Sequence, residues 1–125
     1  MVCTIAYSVV LYILIIMVSE LREPTYLVLT ALADRPLHGY AIIGEVSQIT
    51  KGQVKLRAGS LYGTLDRLVD EGLVHTTGEE VVDGRLRRYY ALTEHGKAAL
   101  SAHATRMVSV STEALRRLSV TPRFA

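Results

Sequence analysis

The chain has 125 residues, 50% of them apolar and 21% charged, which fits one folded domain and excludes multi-domain enzymes, disordered chains and collagen-like repeats. The single cysteine, Cys3, has no partner for an intramolecular disulfide, so a reducing, cytoplasmic setting is expected. A net charge of +2 does not by itself identify a nucleic-acid binder, so the placement of the charges has to decide.

Residues 1–18 stand apart, because every Lys, Arg, Asp and Glu lies after them. As a helix this apolar run would reach roughly 27 Å at ~1.5 Å per residue, short of the ~30 Å hydrocarbon core of a membrane. No basic residue precedes it and Ile15-Ile16-Met17-Val18 is too bulky for a cleavage site, which excludes a secretory signal. The favoured reading is an apolar extension from a start placed upstream of Met17, ahead of a membrane anchor or a packed extension, and a membrane partner is not expected.

A first helix is predicted over about 22–34, with Pro24 tolerated in its first turn and Glu20 and Glu23 suited to its dipole. Tyr26 to Ala33 is almost wholly apolar and predicts burial on most of the circumference. Asp34 to Gly39 reads as a short connection. A second helix is predicted over about 39–50, with Ile42, Ile43, Val46 and Ile49 on one face and Gly52 beyond its end. The following connection holds Lys51, Lys55 and Arg57 without an acid. A third helix starts near Ser60, with Leu61, Leu65, Leu68 and Val69 inward and Gly72 at its C-terminal end. Ser60, Gly63, Thr64 and Arg67 recur at helical spacing and predict a small, hydroxylated outer face ending in arginine.

Leu73–Val82 and Leu86–Leu92 favour strands, and Asp83-Gly84 between them predicts a tight hairpin, hence a two-stranded ribbon. Tyr90 and Leu92 are expected in the core and Tyr89 at the ribbon edge. Thr93 is suited to cap a last helix running to about Leu118. On it Leu100, Ala104, Met107, Ser111, Ala114 and Leu118 form a heptad-like seam flanked by Val108 and Leu115. A chain this small has little to cover that seam, so pairing with a second subunit is the economical reading; packing on its own first helix is the alternative.

Three helices, a β-ribbon and a long helix describe a mainly α chain with a small β-ribbon, a winged helix-turn-helix plus a C-terminal dimerisation helix. The divisions expected are 1–18 for the extension, 19–92 for the winged domain, 93–119 for the dimerisation helix and 120–125 for a tail. The chemistry fits DNA: a major groove about 12 Å wide admits one helix whose side chains hydrogen-bond base edges, as Ser60, Thr64 and Arg67 are able to. From Lys51 to Arg67 there are four basic residues against one acid, Asp66. Arg85, Arg87 and Arg88 place a second basic cluster on the ribbon, opposed by Glu79, Glu80 and Asp83.

These residues carry a resemblance to PadR-family transcriptional regulators. Pro36-Leu37-His38-Gly39-Tyr40-Ala41-Ile42 resembles the family's second-helix signature, and Gly59 to Leu68 followed by Glu71-Gly72-Leu73 its recognition-helix signature. Gly84-Arg85 with Arg88-Tyr89-Tyr90-Ala91-Leu92-Thr93 and Gly96 resembles the wing and the start of the final helix. The match covers about Leu21 to Leu118 and is similar to the short subgroup with a single C-terminal helix. Gly63 departs from it, standing where members often have proline. The resemblance implies a homodimer on a pseudo-palindromic operator in double-stranded DNA, and repression relieved by a small-molecule effector. A modest or absent effector pocket is expected, since no tryptophan is present to stack a planar ligand.

Other residues admit two readings. Tyr62 is able to bond a phosphate through its hydroxyl and to pack its ring beside Leu65, and both are expected. His38 and Tyr40 either present the second helix's start to phosphate or pack against the wing. His75, His95 and His103 are too scattered for a metal, and no cofactor or catalytic pair is expected. The competing function is a winged-helix protein-interaction module, tethered to a membrane through residues 1–18. The basic stretch from Lys51 to Arg67 argues for DNA over that alternative.

Overall fold

A computed structural model describes residues 22–119 of the chain, so the readings made for 1–18 and 120–125 lie outside the described residues. Helix α1 (Glu23–Ala31) carries Pro24 in its first turn and buries Thr25, Leu27, Val28, Leu29 and Ala31. It is shorter than the apolar run that announces it, and Ala33 is exposed in the turn that follows.

The expected connection at Leu37-His38 is instead strand β1 (Leu37–His38), and the predicted two-stranded ribbon is a three-stranded antiparallel sheet of order β1-β3-β2. Two residues are too few to show a period-2 pattern. They become a strand because β3 (Arg85–Leu92) offers an open edge, pairing Leu37 with Tyr90 and His38 with Tyr89. Strand β2 (Val74–Val82) pairs with the other edge, from Val74 opposite Leu92 to Val82 opposite Arg85, with a bulge between Thr76 and Gly78. The turn is the predicted one: Asp83 and Gly84 take φ of 51° and 75°, the left-handed pair a tight hairpin requires.

Helix α2 (Gly39–Ile49) buries Ile42 and Val46, whereas Ile43 is half-buried and Ile49 exposed. Helix α3 (Ala58–Asp70) buries Leu61, Leu65 and Leu68; Val69, expected inward, is exposed. At 100° per residue Val69 falls roughly 70° from the centre of the Leu61–Leu65–Leu68 stripe, whereas Ile49 shares the stripe of Ile42 and Val46 and is exposed at the last residue of α2. Helix α1 packs on α2, α2 on α3, and α3 on β2, while β1 and β3 lie against α2. Val28, Leu29, Ile42, Val46, Leu61, Leu65, Leu68 and Val74 are sealed from solvent between them. Tyr90 and Leu92 are buried as expected.

Helix α4 (Glu94–Arg117) is fastened at its start. The Thr93 hydroxyl donates to the Gly72 carbonyl at 2.6 Å and accepts from the Gly96 amide at 3.0 Å, while the Thr93 amide donates to the Leu73 carbonyl at 3.1 Å. A Cβ on Gly96 would overlap the Leu73 carbonyl oxygen, so only glycine fits this crossing. The chain forms two compact units, one ending at Leu100 and a second to which α4 belongs from Ser101 onward. No helix among the described residues is long and apolar enough to cross a membrane.

Candidate nucleic-acid interface

On α3, the stripe opposite Leu61, Leu65 and Leu68 at 100° per residue is Gly59, Gly63, Asp66 and Asp70, all exposed. This stripe lies roughly 80° round the helix from the predicted Ser60–Gly63–Thr64–Arg67 stripe, with Gly63 common to both. Thr64 is half-buried because it lies one turn from both Leu61 and Leu68. Ser60 and Tyr62 border the outer stripe and are exposed. Gly59 and Gly63 have open space where a Cβ would be, so the first two turns of α3 present bare backbone.

Tyr62 reaches the start of α2. Its ring end lies over Gly39, where an added Cβ would come within 2.6 Å of the hydroxyl oxygen. The absent side chain at the start of α2 is therefore the seat of Tyr62, and it holds the phenol at the junction of the two helices. His38 caps α2, its Nδ1 accepting from the Ala41 amide at 3.4 Å, and its ring meets the Tyr89 ring edge-on at 5.5 Å. Burial, and then the nearby Arg87 charge, hold the imidazole below its ordinary range, with Glu80 opposing. His38 thus packs against the wing, while its neighbour Tyr40 is 61% exposed.

The basic residues divide into two kinds. Among the described residues Lys51, Lys55, Arg57, Arg85 and Arg87 form no ion pair. Lys51, Lys55 and Arg57 lead directly into α3, and Arg85 and Arg87 lie on the wing. Lys51 takes φ of 53° as α2 ends, with its amide donating to the Gln48 carbonyl and the Gly52 amide to the Ser47 carbonyl at 2.7 Å.

Arg67 and Arg88 are engaged within the fold. Arg67 donates to the buried Thr25 hydroxyl of α1 at 2.7 Å and to Glu71 at 3.1 Å, which draws its guanidinium off the outer stripe where a base reader is expected. Arg88 bonds Glu79 across the ribbon at 2.9 Å, and that carboxylate strengthens its hold on the proton. The phenol of nearby Tyr90 is pushed above its ordinary range by burial, with Arg88 partly offsetting the shift and Asp66 and Tyr62 adding to it. Toward the turn, the same sheet face carries Val81 opposite Leu86, both exposed.

Comparison with known proteins fits this geometry. The model of the transcriptional regulator PadR-like family matches residues 28–102, more than half of the chain. The chain belongs to the PadR-like family of transcriptional regulators. Its fold is accordingly a winged helix-turn-helix, with α2 and α3 as the helix pair and β2–β3 as the wing, and the family is one of regulators and not of enzymes. It is 36% identical over 83 residues to Transcriptional regulator Rv3488 of Mycobacterium tuberculosis, covering 66% of this chain and 74% of that one. It is 44% identical over 90 residues to a 37.1 kDa protein of transposon TN4556 from Streptomyces fradiae, covering 72% of this chain. The aligned part spans only 24% of that relative's length. Among solved structures it resembles Bacillus subtilis PadR in complex with operator DNA, with 25% identity and a TM-score of 0.57 over 64% of this chain and 45% of that one.

Within this PadR-like chain the seam residues fall on α4, except Leu118, which follows its last residue. Leu100, Ala104 and Leu115 are half-buried, and Met107, Val108, Ser111, Ala114 and Leu118 exposed; Val110, outside the seam, is exposed too. Among the described residues no group of His, Cys, Asp and Glu could hold a metal ion. Sequence reasoning missed three features: Thr25 as the partner of Arg67, the Val81–Leu86 pair, and Asp66 on the outer stripe. The last was recoverable by counting 100° steps from the three leucines.

Proposed function

We propose that this chain is a sequence-specific, DNA-binding transcriptional repressor that works in the cytoplasm as a homodimer and is released by a small-molecule effector. The observation that carries the DNA reading is a group of five cations that form no ion pair among the described residues and flank α3 and the wing, Lys51, Lys55, Arg57, Arg85 and Arg87. They lie just before α3 and on the wing, and unpaired lysine and arginine are what phosphates select. Ser60, Tyr62, Gly63 and Thr64 then face or border the groove, with Tyr40 at the start of α2. In this reading His38, Arg67 and Arg88 position these elements instead of touching DNA. The operator complex of Bacillus subtilis PadR supports a DNA partner for a chain of this fold.

Dimerisation is assigned to residues 93–119, through the seam of Leu100, Ala104, Met107, Val108, Ser111, Ala114, Leu115 and Leu118. Two chains related by a two-fold axis place two α3 helices on a pseudo-palindrome. The test is footprinting on DNA upstream of the protein's own gene, followed by transcription from the protected promoter. The wild-type chain protects two symmetric half-sites and lowers transcription, and Arg57→Ala with Arg87→Ala abolishes both. Protection of a single half-site by a monomer, or loss of protection only on Arg67→Ala, would contradict the assignment.

A further inference from the structure

The geometry points to Asp66 as a specificity-determining residue of α3 that accepts a hydrogen bond from the exocyclic amino group of a cytosine in the major groove. This deepens the DNA-reading function proposed above and rests on it. Asp66 is exposed on the stripe opposite Leu61, Leu65 and Leu68, and forms no ion pair or hydrogen bond among the described residues. Arg67, the next residue, is committed to Thr25 and Glu71, so it neither neutralises Asp66 nor competes for the base edge. One turn earlier Gly63 is bare, and Gly59 is bare a turn before that. The helix backbone is therefore free to approach closely enough for a short carboxylate to reach a base.

An ionised carboxylate has acceptors only. In the major groove guanine presents N7 and O6, both acceptors, and thymine presents the O4 acceptor and a methyl group, so all of these reject it. Cytosine offers the N4 amino donor, the usual partner of Asp and Glu. Adenine sets its amino group beside the N7 acceptor, which repels the second carboxylate oxygen. The cost of bringing a negative charge near phosphates is met by the unpaired cations at Lys51, Lys55, Arg57, Arg85 and Arg87. A carboxylate so placed contributes discrimination more than affinity.

The experiment is selection from a random-sequence duplex library with the full chain, in parallel with Asp66→Ala, Asp66→Asn and, as a control, Asp70→Ala. The wild type and Asp70→Ala are expected to require cytosine at one position of each half-site, at about tenfold over the other bases. Asp66→Ala should lose that requirement and keep the rest of the motif. Asp66→Asn should shift the preference toward adenine, which suits a carboxamide. An unchanged motif in Asp66→Ala, an adenine preference in the wild type, or a uniform gain in affinity on all sequences would overturn the assignment and leave DNA reading intact. Failure of the wild type to enrich any motif would overturn DNA reading itself. Circular dichroism of the variants confirms that each is folded.

Discussion

Replacing Arg67 by alanine separates a structural arginine from a base reader. The guanidinium donates at 2.7 Å to the hydroxyl of Thr25, a residue 4% exposed and 42 positions away on α1. Removing it strips a charged donor from a buried hydroxyl, a loss of about 1–3 kcal/mol. The contact with Glu71 is solvent-exposed and i,i+4, so it adds only about 0.3–0.5 kcal/mol. The expected destabilisation is about 2 kcal/mol, or roughly 8–16 °C in Tm for a domain of this size. Urea unfolding of wild type, Arg67→Ala, Thr25→Val and the double variant forms a thermodynamic cycle with a coupling of about 1 kcal/mol or more. If Arg67→Ala unfolds within 0.5 kcal/mol of wild type while losing selectivity among DNA sequences, the structural reading of Arg67 is refuted. Retained selectivity with lowered stability is the expected pairing.

Gly96→Ala should prevent folding or cost at least about 3 kcal/mol by thermal melting, because its Cβ would overlap the Leu73 backbone, which cannot give way. Gly63→Ala meets nothing within 4 Å on an exposed helix and should raise stability by about 0.5–1 kcal/mol in urea titration. His38 has a lowered imidazole pKa in the folded state, so protonation favours the unfolded chain. Its contribution is fully present above the unfolded value of about 6.5 and is lost as pH falls through the folded value. His38→Asn, which still caps α2 but does not titrate, should flatten melting temperature against pH in that window. Arg87→Ala should weaken all DNA alike and lower the salt slope by about 1, whereas Arg88→Ala should loosen the wing, seen as faster amide exchange across Glu79 and Arg88, with little change in slope.

The elements legible in the sequence were those with a long periodic signal or a strong punctuator. The leucines of α3, the Asp83-Gly84 turn and the Thr93 cap of α4 all stand where local chemistry puts them. Strand β1 was not legible because two residues acquire strand character only by pairing with β3. Val69 looks apolar enough for the core but its angular position leaves it outside, and Ile49, although in line with Ile42 and Val46, is exposed at the end of α2. The candidate interface divided along similar lines. Residue type marked Lys51, Lys55, Arg57, Arg85 and Arg87 as basic, but only tertiary structure separates them from Arg67 and Arg88, whose partners lie 42 and 9 residues away. Ser60, Thr64 and Arg67 lie on one side of the direction opposite the leucine stripe and Asp66 on the other, so it is the hydrogen bond from Arg67 to Thr25, a tertiary contact, that distinguishes the two exposed side chains.

Fluorescence anisotropy of the full chain against DNA from upstream of its own gene and against random duplex, at several salt concentrations, tests the central claim most directly. Sequence-selective binding with two chains per site is predicted, with log K falling against log salt at a slope near −0.9 for each phosphate neutralised. The slope should shrink stepwise as Lys55, Arg57 and Arg87 are replaced. Equal, salt-insensitive binding to both DNAs, or a slope unmoved by those replacements, would contradict the account.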